Sequence, residues 1–232
     1  MTALEIVLTS LIGAIICLVI VFAILVRIVT KFFTHKIVNY KVLNEFAPEN
    51  PIVFLGDSLT DFFPCHEFLH DKRIINRGIS NETTFDVEKR LGDVIVLKPK
   101  AVFLLIGIND FLRLRGKRDA KTVAERVIFL ADKLHEACED IRVISLYPVN
   151  KKKKWFYKFA LSKVTNEKIS VTNGLIKKMC QEKGYKYLDF NSYLIDDNGN
   201  LNADYTIEGL HLNLIGYKHL TPYIKNELEE IE

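Results

Sequence analysis

Pro51-Ile52-Val53-Phe54-Leu55-Gly56-Asp57-Ser58-Leu59-Thr60 is the stretch on which the reading of this chain turns. A short β-rich apolar run closed by Gly-Asp-Ser reads as a fully buried strand ending in a tight turn. The punctuation Ala47-Pro48-Glu49-Asn50-Pro51 stands just before it. Downstream the pattern repeats, with further β-rich runs at Arg73–Asn76, Ala101–Ile106, Ile141–Tyr147 and Tyr185–Phe190. Helical patterns fill the intervals at Thr84–Val96, Ala120–Glu139, Val164–Lys183 and Leu214–Glu230. The second of these puts Val123, Val127, Leu130, Leu134 and Cys138 on one face. Buried strands alternating with helices predict an α/β domain, a five-stranded parallel sheet covered by helices on both faces. Chemistry in such a sheet collects in the loops at the carboxyl ends of the strands.

Upstream of the strand the chain changes character. Ile6 to Val26 is a run of 21 residues without a charge. As a helix rising about 1.5 Å per residue it matches a bilayer's hydrocarbon core. A cleaved signal peptide would have a basic start and a small-x-small site, whereas the early charge here is Glu5 and Arg27-Ile28-Val29-Thr30-Lys31 follows the run. A buried core helix rarely runs so long without a polar face. The expectation is therefore a single-pass anchor over residues 1–27, a juxtamembrane helix or linker over 28–50 and a folded domain over 51–232. Arg27, Lys31, Lys36 and Lys41 all follow the span, which by the positive-inside rule places the domain on the cytoplasmic side.

The 232 residues carry a net charge of +3, and residues 1–45 supply +2 of it. The domain is nearly neutral, so no positive field points to a nucleic-acid partner. Cys17, Cys65, Cys138 and Cys180 are scattered and form no CxxC, which reads as free thiols in a reducing compartment.

Four short motifs stand at successive element boundaries. Gly56-Asp57-Ser58 offers a serine just beyond a buried strand, placed to be a nucleophile, although such a serine more often caps a helix. Asn76-Arg77-Gly78-Ile79-Ser80 closes the second strand with a glycine that lets a backbone N–H approach a ligand. Gly107-Ile108-Asn109-Asp110 closes the third with an amide able to donate to a developing oxyanion. Glu208-Gly209-Leu210-His211-Leu212-Asn213 precedes the last helix. Its imidazole can take a proton from a serine, and a carboxylate three residues earlier can orient the ring.

Singly each motif is weak; in this order they are specific. The chain resembles the SGNH/GDSL hydrolases, whose four blocks centre on residues matched here by Ser58, Gly78, Asn109 and His211. The resemblance covers about residues 51–230. Asn76–Thr84 and Leu97-Lys98-Pro99-Lys100-Ala101 look similar to the branch that contains the catalytic subunits of platelet-activating-factor acetylhydrolase. It implies a three-layer α/β/α flavodoxin-like fold and ester hydrolysis through an acyl-serine intermediate, with no metal or organic cofactor. Ser58 would be the nucleophile and His211 the base and then the acid. The backbone N–H groups of Ser58 and Gly78 and the Asn109 side chain would hold the oxyanion. The family usually has aspartate three residues before the histidine. Here Glu208 stands there, with Asp204 as the alternative orienter.

The substrate implied is an acyl lipid such as a lysophospholipid, or an O-acetyl ester on a saccharide. Transfer to another hydroxyl and a non-catalytic binding module on the same fold are the alternatives. Flavin binding lacks a Ser/Thr-rich phosphate loop after the first strand. Lys151–Lys154 followed by Trp155-Phe156-Tyr157-Lys158-Phe159 reads either as a solvated loop or as a segment for a lipid interface. Cys65, His66, His70 and Asp71 match no standard zinc spacing. Asp196-Asp197-Asn198-Gly199-Asn200 lacks the later glutamate of a calcium loop and reads as a turn. Asn81-Glu82-Thr83 is a formal glycosylation triplet beside the expected oxyanion loop.

Overall fold

A computed structural model describes residues 2–112, 118–151 and 161–231, without the side chains of residues 3, 6 and 29–34. The basic and aromatic segment after Lys151 lies outside the described residues up to residue 160. The chain divides into two units, Met1–Val42 and Leu43–Glu232.

The first unit is helical. Helix α1 (Ala3–Asn44) runs unbroken for 42 residues, with no interruption at the expected end of the anchor. Within it Val7–Ile28 has a mean hydropathy of 3.1 and is long and apolar enough to cross a bilayer. None of that window is buried.

The second unit is built on the predicted sheet. Strands β1 (Ile52–Gly56), β2 (Ile74–Gly78), β3 (Ala101–Leu105), β4 (Asp140–Ile144) and β5 (Lys186–Leu188) are all parallel, in the order β2-β1-β3-β4-β5. Every residue of β1 and β3 is buried, as a sheet covered on both faces requires. Phe54 stacks on Phe103 at 4.7 Å across them. The covering helices include α2 (Ser58–Asp61), α3 (Cys65–Leu69), α4 (Thr84–Glu88), α5 (Gly92–Ile95), α6 (Ala120–His135), α7 (Asn166–Lys183) and α8 (Leu214–Glu229). The expected face of α6 is buried at Val123, Val127, Leu130 and Leu134. Because β1 lies between β2 and β3, the strand order reverses at β1, and the crevice at its carboxyl end is where such sheets bind ligands.

The differences from the sequence reading have local causes. The single helix expected over Thr84–Val96 is two short ones, broken before Gly92, and Arg90 at the break folds back to pair with Glu82. The fourth strand stops at Ile144 rather than Tyr147. Its continuation is held by side-chain amides instead of a ladder: Asn173 accepts from Leu146 N–H at 2.8 Å and donates to Leu146 C=O at 2.9 Å. Asn166 accepts from Val149 N–H at 2.8 Å. The fifth strand is three residues long, and directly after it the chain turns, with Phe190 N–H donating to Leu188 C=O at 3.0 Å.

Cys65, Cys138 and Cys180 are free and buried. Burial pushes their thiols up, to about 11, 11 and 12 respectively. Cys65 is thus a packed core residue, and Asp71 binds Arg73 at 2.9 Å. Among the described residues no cluster of three or more His, Cys, Asp or Glu side chains could hold a metal ion.

Gly78 owes its lack of a side chain to packing. A Cβ there would lie 2.3 Å from the Asp61 nitrogen and 2.7 Å from the Thr60 carbonyl carbon, both backbone atoms of the helix that carries Ser58. Gly78→Ala is expected to destabilise the domain by about 1–3 kcal/mol through overpacking, read as a lower urea midpoint with an unchanged slope.

Candidate active site

Ser58 opens α2 immediately beyond β1. Asp57 caps that helix, its Oδ1 accepting from Leu59 N–H at 3.0 Å, which fixes the turn and leaves the serine at the strand's end. His211 arrives from 153 residues away and places Nε2 2.8 Å from Ser58 Oγ. On the other side of the ring, Nδ1 is in short contact with Glu208 Oε1, which also accepts from the His211 backbone N–H at 3.2 Å. Ser58, His211 and Glu208 therefore form one hydrogen-bonded chain. Asp204 takes no part in it; it is exposed on a 3₁₀ turn, where its carbonyl accepts from Asn213 Nδ2 at 2.8 Å.

The segment carrying Glu208 and His211 is a tight hairpin. Ile207 N–H donates to His211 C=O at 3.0 Å. Thr206 Oγ1 donates to the same carbonyl at 2.8 Å and accepts from Gly209 N–H at 2.8 Å. Gly209 has φ +108°, and a Cβ there would lie 2.0 Å from Asn150 O. That close approach lets Gly209 C=O accept from Asn150 N–H at 2.7 Å, locking the hairpin to the segment that follows β4. Asn213 caps α8 by accepting from Gly216 N–H at 2.9 Å, as the sequence implies.

Asn109 stands on the 3₁₀ turn Ile108–Phe111 at the end of β3, on the other side of the crevice. It is buried, and its Nδ2 donates to Glu82 C=O at 2.8 Å, which fixes the plane of the amide and leaves its second N–H to a ligand. Glu82 is itself held. Its carboxylate receives Arg90 Nε at 2.9 Å and Arg90 Nη2 at 2.5 Å, and Nη2 also donates to Gly56 C=O at 3.3 Å. Both partners of this ion pair are buried. Neither residue stands out in the sequence, since the two flank α4 rather than belong to it.

The glycine expected among the oxyanion donors is placed otherwise. Ile79 N–H donates to Gly56 O at 3.0 Å, toward β1. Successive amides along a strand point to opposite sides, so Gly78 N–H points away from β1. There it donates to Asn76 Oδ1 at 2.8 Å. Of the four block residues, Ser58, Asn109 and His211 line the crevice, and Gly78 supports it through close packing against Thr60 and Asp61.

Asp57 is the second carboxylate near the imidazole. Its Oδ2 is buried and has no hydrogen-bond partner. Burial, opposed by the Leu59 N–H and by the nearby His211, raises its pKa from 3.8 to about 7.

Residues 54–219 match the GDSL-like lipase/acylhydrolase family. The chain belongs to this family. A curated relative, the N-acylneuraminate cytidylyltransferase of Escherichia coli O18:K1:H7, is 28% identical over 202 residues. That alignment covers 85% of this chain but 43% of the relative, so the chain spans less than half of that protein. Among solved structures, one assigned as a platelet activating factor from Streptococcus pneumonia superposes with a TM-score of 0.76 at 25% identity, covering 89% of this chain and 99% of the other. A GDSL-like lipase from Bacteroides thetaiotaomicron has a TM-score of 0.73 at 23% identity, over 84% and 97% of the two chains. The second likeness is one of fold.

Two measurements test these buried charges. Arg90→Met removes the guanidinium from the buried Glu82 carboxylate and is expected to cost about 3–5 kcal/mol of stability by urea titration, with Arg90→Lys in between. The Asp57 carboxyl is easier to ionise in the unfolded chain than in the folded one. Its ionisation therefore withdraws stability as pH rises from 3.8 toward 7. Asp57→Asn keeps the helix cap and should be more stable than wild type at pH 8, on the order of 1–3 kcal/mol. The advantage should vanish at pH 4, which urea midpoints at the two values would show.

Proposed function

We propose that this protein is a membrane-anchored serine esterase that cleaves carboxylic esters through an acyl-Ser58 intermediate. The hydrogen-bonded chain Ser58–His211–Glu208 is the observation that carries the reading. In the first half-reaction Ser58 Oγ attacks the ester carbonyl carbon as His211 Nε2 takes its proton. Glu208 holds the ring by Nδ1 and stabilises the imidazolium. The negative charge on the carbonyl oxygen is met by the Ser58 backbone N–H and the free N–H of the Asn109 amide, each donor being worth roughly 3 kcal/mol at the transition state. The imidazolium then gives its proton to the departing alkoxide, leaving the acyl group on Ser58. Water, deprotonated by His211, attacks that ester and returns Ser58 to its starting state. Glutamate keeps the charge of the family's usual aspartate, and its Oε1 reaches the His211 ring.

The span Val7–Ile28 supports membrane anchoring, and the basic residues that follow it support a cytoplasmic domain. The compact unit Leu43–Glu232 supports a hydrolase domain over 51–232. An O-acetyl ester on a saccharide is the second substrate reading, favoured by the likeness to a protein named for a sugar acid.

The test uses the full chain in detergent micelles with p-nitrophenyl acetate. Ser58→Ala and His211→Ala should each lose at least ~10³-fold in kcat while keeping the wild-type Tm. Glu208→Gln should lose about 10³–10⁴-fold, and Asn109→Ala about 10²-fold or more. Wild-type turnover by Ser58→Ala would overturn the mechanism.

A further inference from the structure

We propose that Asp57 is a second positioning carboxylate of the site, whose negative charge stabilises the imidazolium that His211 becomes each time it takes a proton. The inference rests on the serine-esterase reading and adds one residue to that same site.

Asp57 is a buried titratable group that the Ser58–His211–Glu208 chain leaves unused. Its Oδ1 accepts from Leu59 N–H at 3.0 Å and so caps α2. Its Oδ2 is buried and has no hydrogen-bond partner. A helix cap needs one oxygen and no charge, and asparagine or serine serves as well. Capping therefore accounts for one oxygen of Asp57 but not for its charge, which is costly to bury.

The groups around it leave His211 as its counter-charge. From the loop after β2, Glu82 is closed in its pair with Arg90. From the turn after β3, Asp110 accepts from Thr84 N–H at 2.9 Å and Thr84 Oγ1 at 2.7 Å, and lies 3.8 Å from Arg118. Both of these carboxylates repel the Asp57 charge. On α2 itself, Asp61 accepts from Ser80 N–H at 3.0 Å and Ser80 Oγ at 2.7 Å. Burial keeps two phenols neutral through the range in which Asp57 titrates: Tyr147, in the segment after β4, and Tyr217, on α8. Glu208 Oε1 is engaged by the ring of His211. His211 Nε2 lies 2.8 Å from Oγ of the residue next to Asp57, and among the described residues it is the cation that favours the ionised Asp57 carboxyl.

Such coupling is reciprocal: the ionised Asp57 favours the imidazolium by as much as the imidazolium favours the ionised Asp57. Before reaction the ring is neutral and the Asp57 charge is unmatched. As Ser58 Oγ attacks the ester, its proton passes to Nε2. As water attacks the acyl-enzyme, a proton passes to Nε2 again. In both steps the positive charge arises near a carboxylate already in place. No bond to Asp57 forms or breaks, and its own proton is not passed on. An interaction made in the transition state and absent from the ground state raises kcat and leaves KM alone. Glu208 bonds the ring directly, whereas Asp57 acts on it through charge. Burial holds the Asp57 carboxyl at about 7, so the effect sets in as pH rises through that value. Below it the carboxyl is neutral, as an asparagine is.

The experiment measures kcat and KM of the full chain in detergent for p-nitrophenyl acetate from pH 5 to pH 9. It compares wild type with Asp57→Asn and Asp57→Ser, which keep a cap oxygen and lack the charge. The ratio of wild-type to variant kcat should stay near one at pH 5 and rise to roughly ten-fold at pH 9, with KM unchanged and both variants alike. A urea midpoint for Asp57→Asn at or above the wild-type value at pH 9 would assign the loss to charge and not to a damaged fold. A ratio equal at both ends of the range, a ratio near one throughout, or a loss confined to KM would overturn the proposal. Turnover that persists in Ser58→Ala would instead overturn the serine-esterase reading, whatever the ratio, so the two failures are distinguishable.

Discussion

The buried pair between Arg90 and Glu82 is the interaction on which the crevice depends. Through Nη2 the guanidinium touches the last carbonyl of β1, one residue short of the Asp57-Ser58 turn. Through the Glu82 carboxylate it holds the loop after β2, and the Glu82 carbonyl in turn fixes the Asn109 amide at the end of β3. Three strand ends are thus joined by one pair of side chains. A buried ion pair adds little to stability against an apolar substitute, because desolvation offsets the attraction. What this pair supplies is position, by making the turn that bears Ser58 and the Asn109 amide parts of one network.

The other half of the site comes from the far end of the chain and is made rigid by different means. The hairpin around His211 is short and is held by its own backbone, by Thr206 Oγ1 and by the close approach of Gly209 to Asn150. Charge is distributed with the same economy. Glu208 Oε1 engages the imidazole and its backbone N–H. Asp57, with one orphaned oxygen, is pushed to about 7 by burial. Two carboxylates near one imidazole are therefore placed differently: one bonds the ring, and the other caps the helix that bears Ser58.

The architecture was legible because it follows from pattern. Five apolar runs between helical periods require a covered parallel sheet, and the order of Ser58, Asn109 and His211 along the chain places them on one edge of it. The departures are equally instructive. The sequence shows a glycine after the second strand but not which way its amide points; strand alternation turns Gly78 N–H outward to Asn76 and leaves the glycine to serve close packing. The pattern of Thr84–Val96 looks like one helix because periodicity is local, whereas at residues 89–91 the backbone tightens to i→i−3 bonds and divides it. The choice between Glu208 and Asp204 as orienter is likewise made by the path of the hairpin.

By itself, then, the sequence determined which segments must be buried, how they alternate and which side chains have chemistry to offer. Hydrophobic periodicity and turn residues act over a few positions and can be read along the chain. Tertiary structure alone decided which way the Gly78 amide points and which carboxylate reaches the imidazole. Those outcomes depend on contacts between residues as far apart as Ser58 and His211. Such contacts form only when the sheet is assembled and every backbone amide has taken a direction.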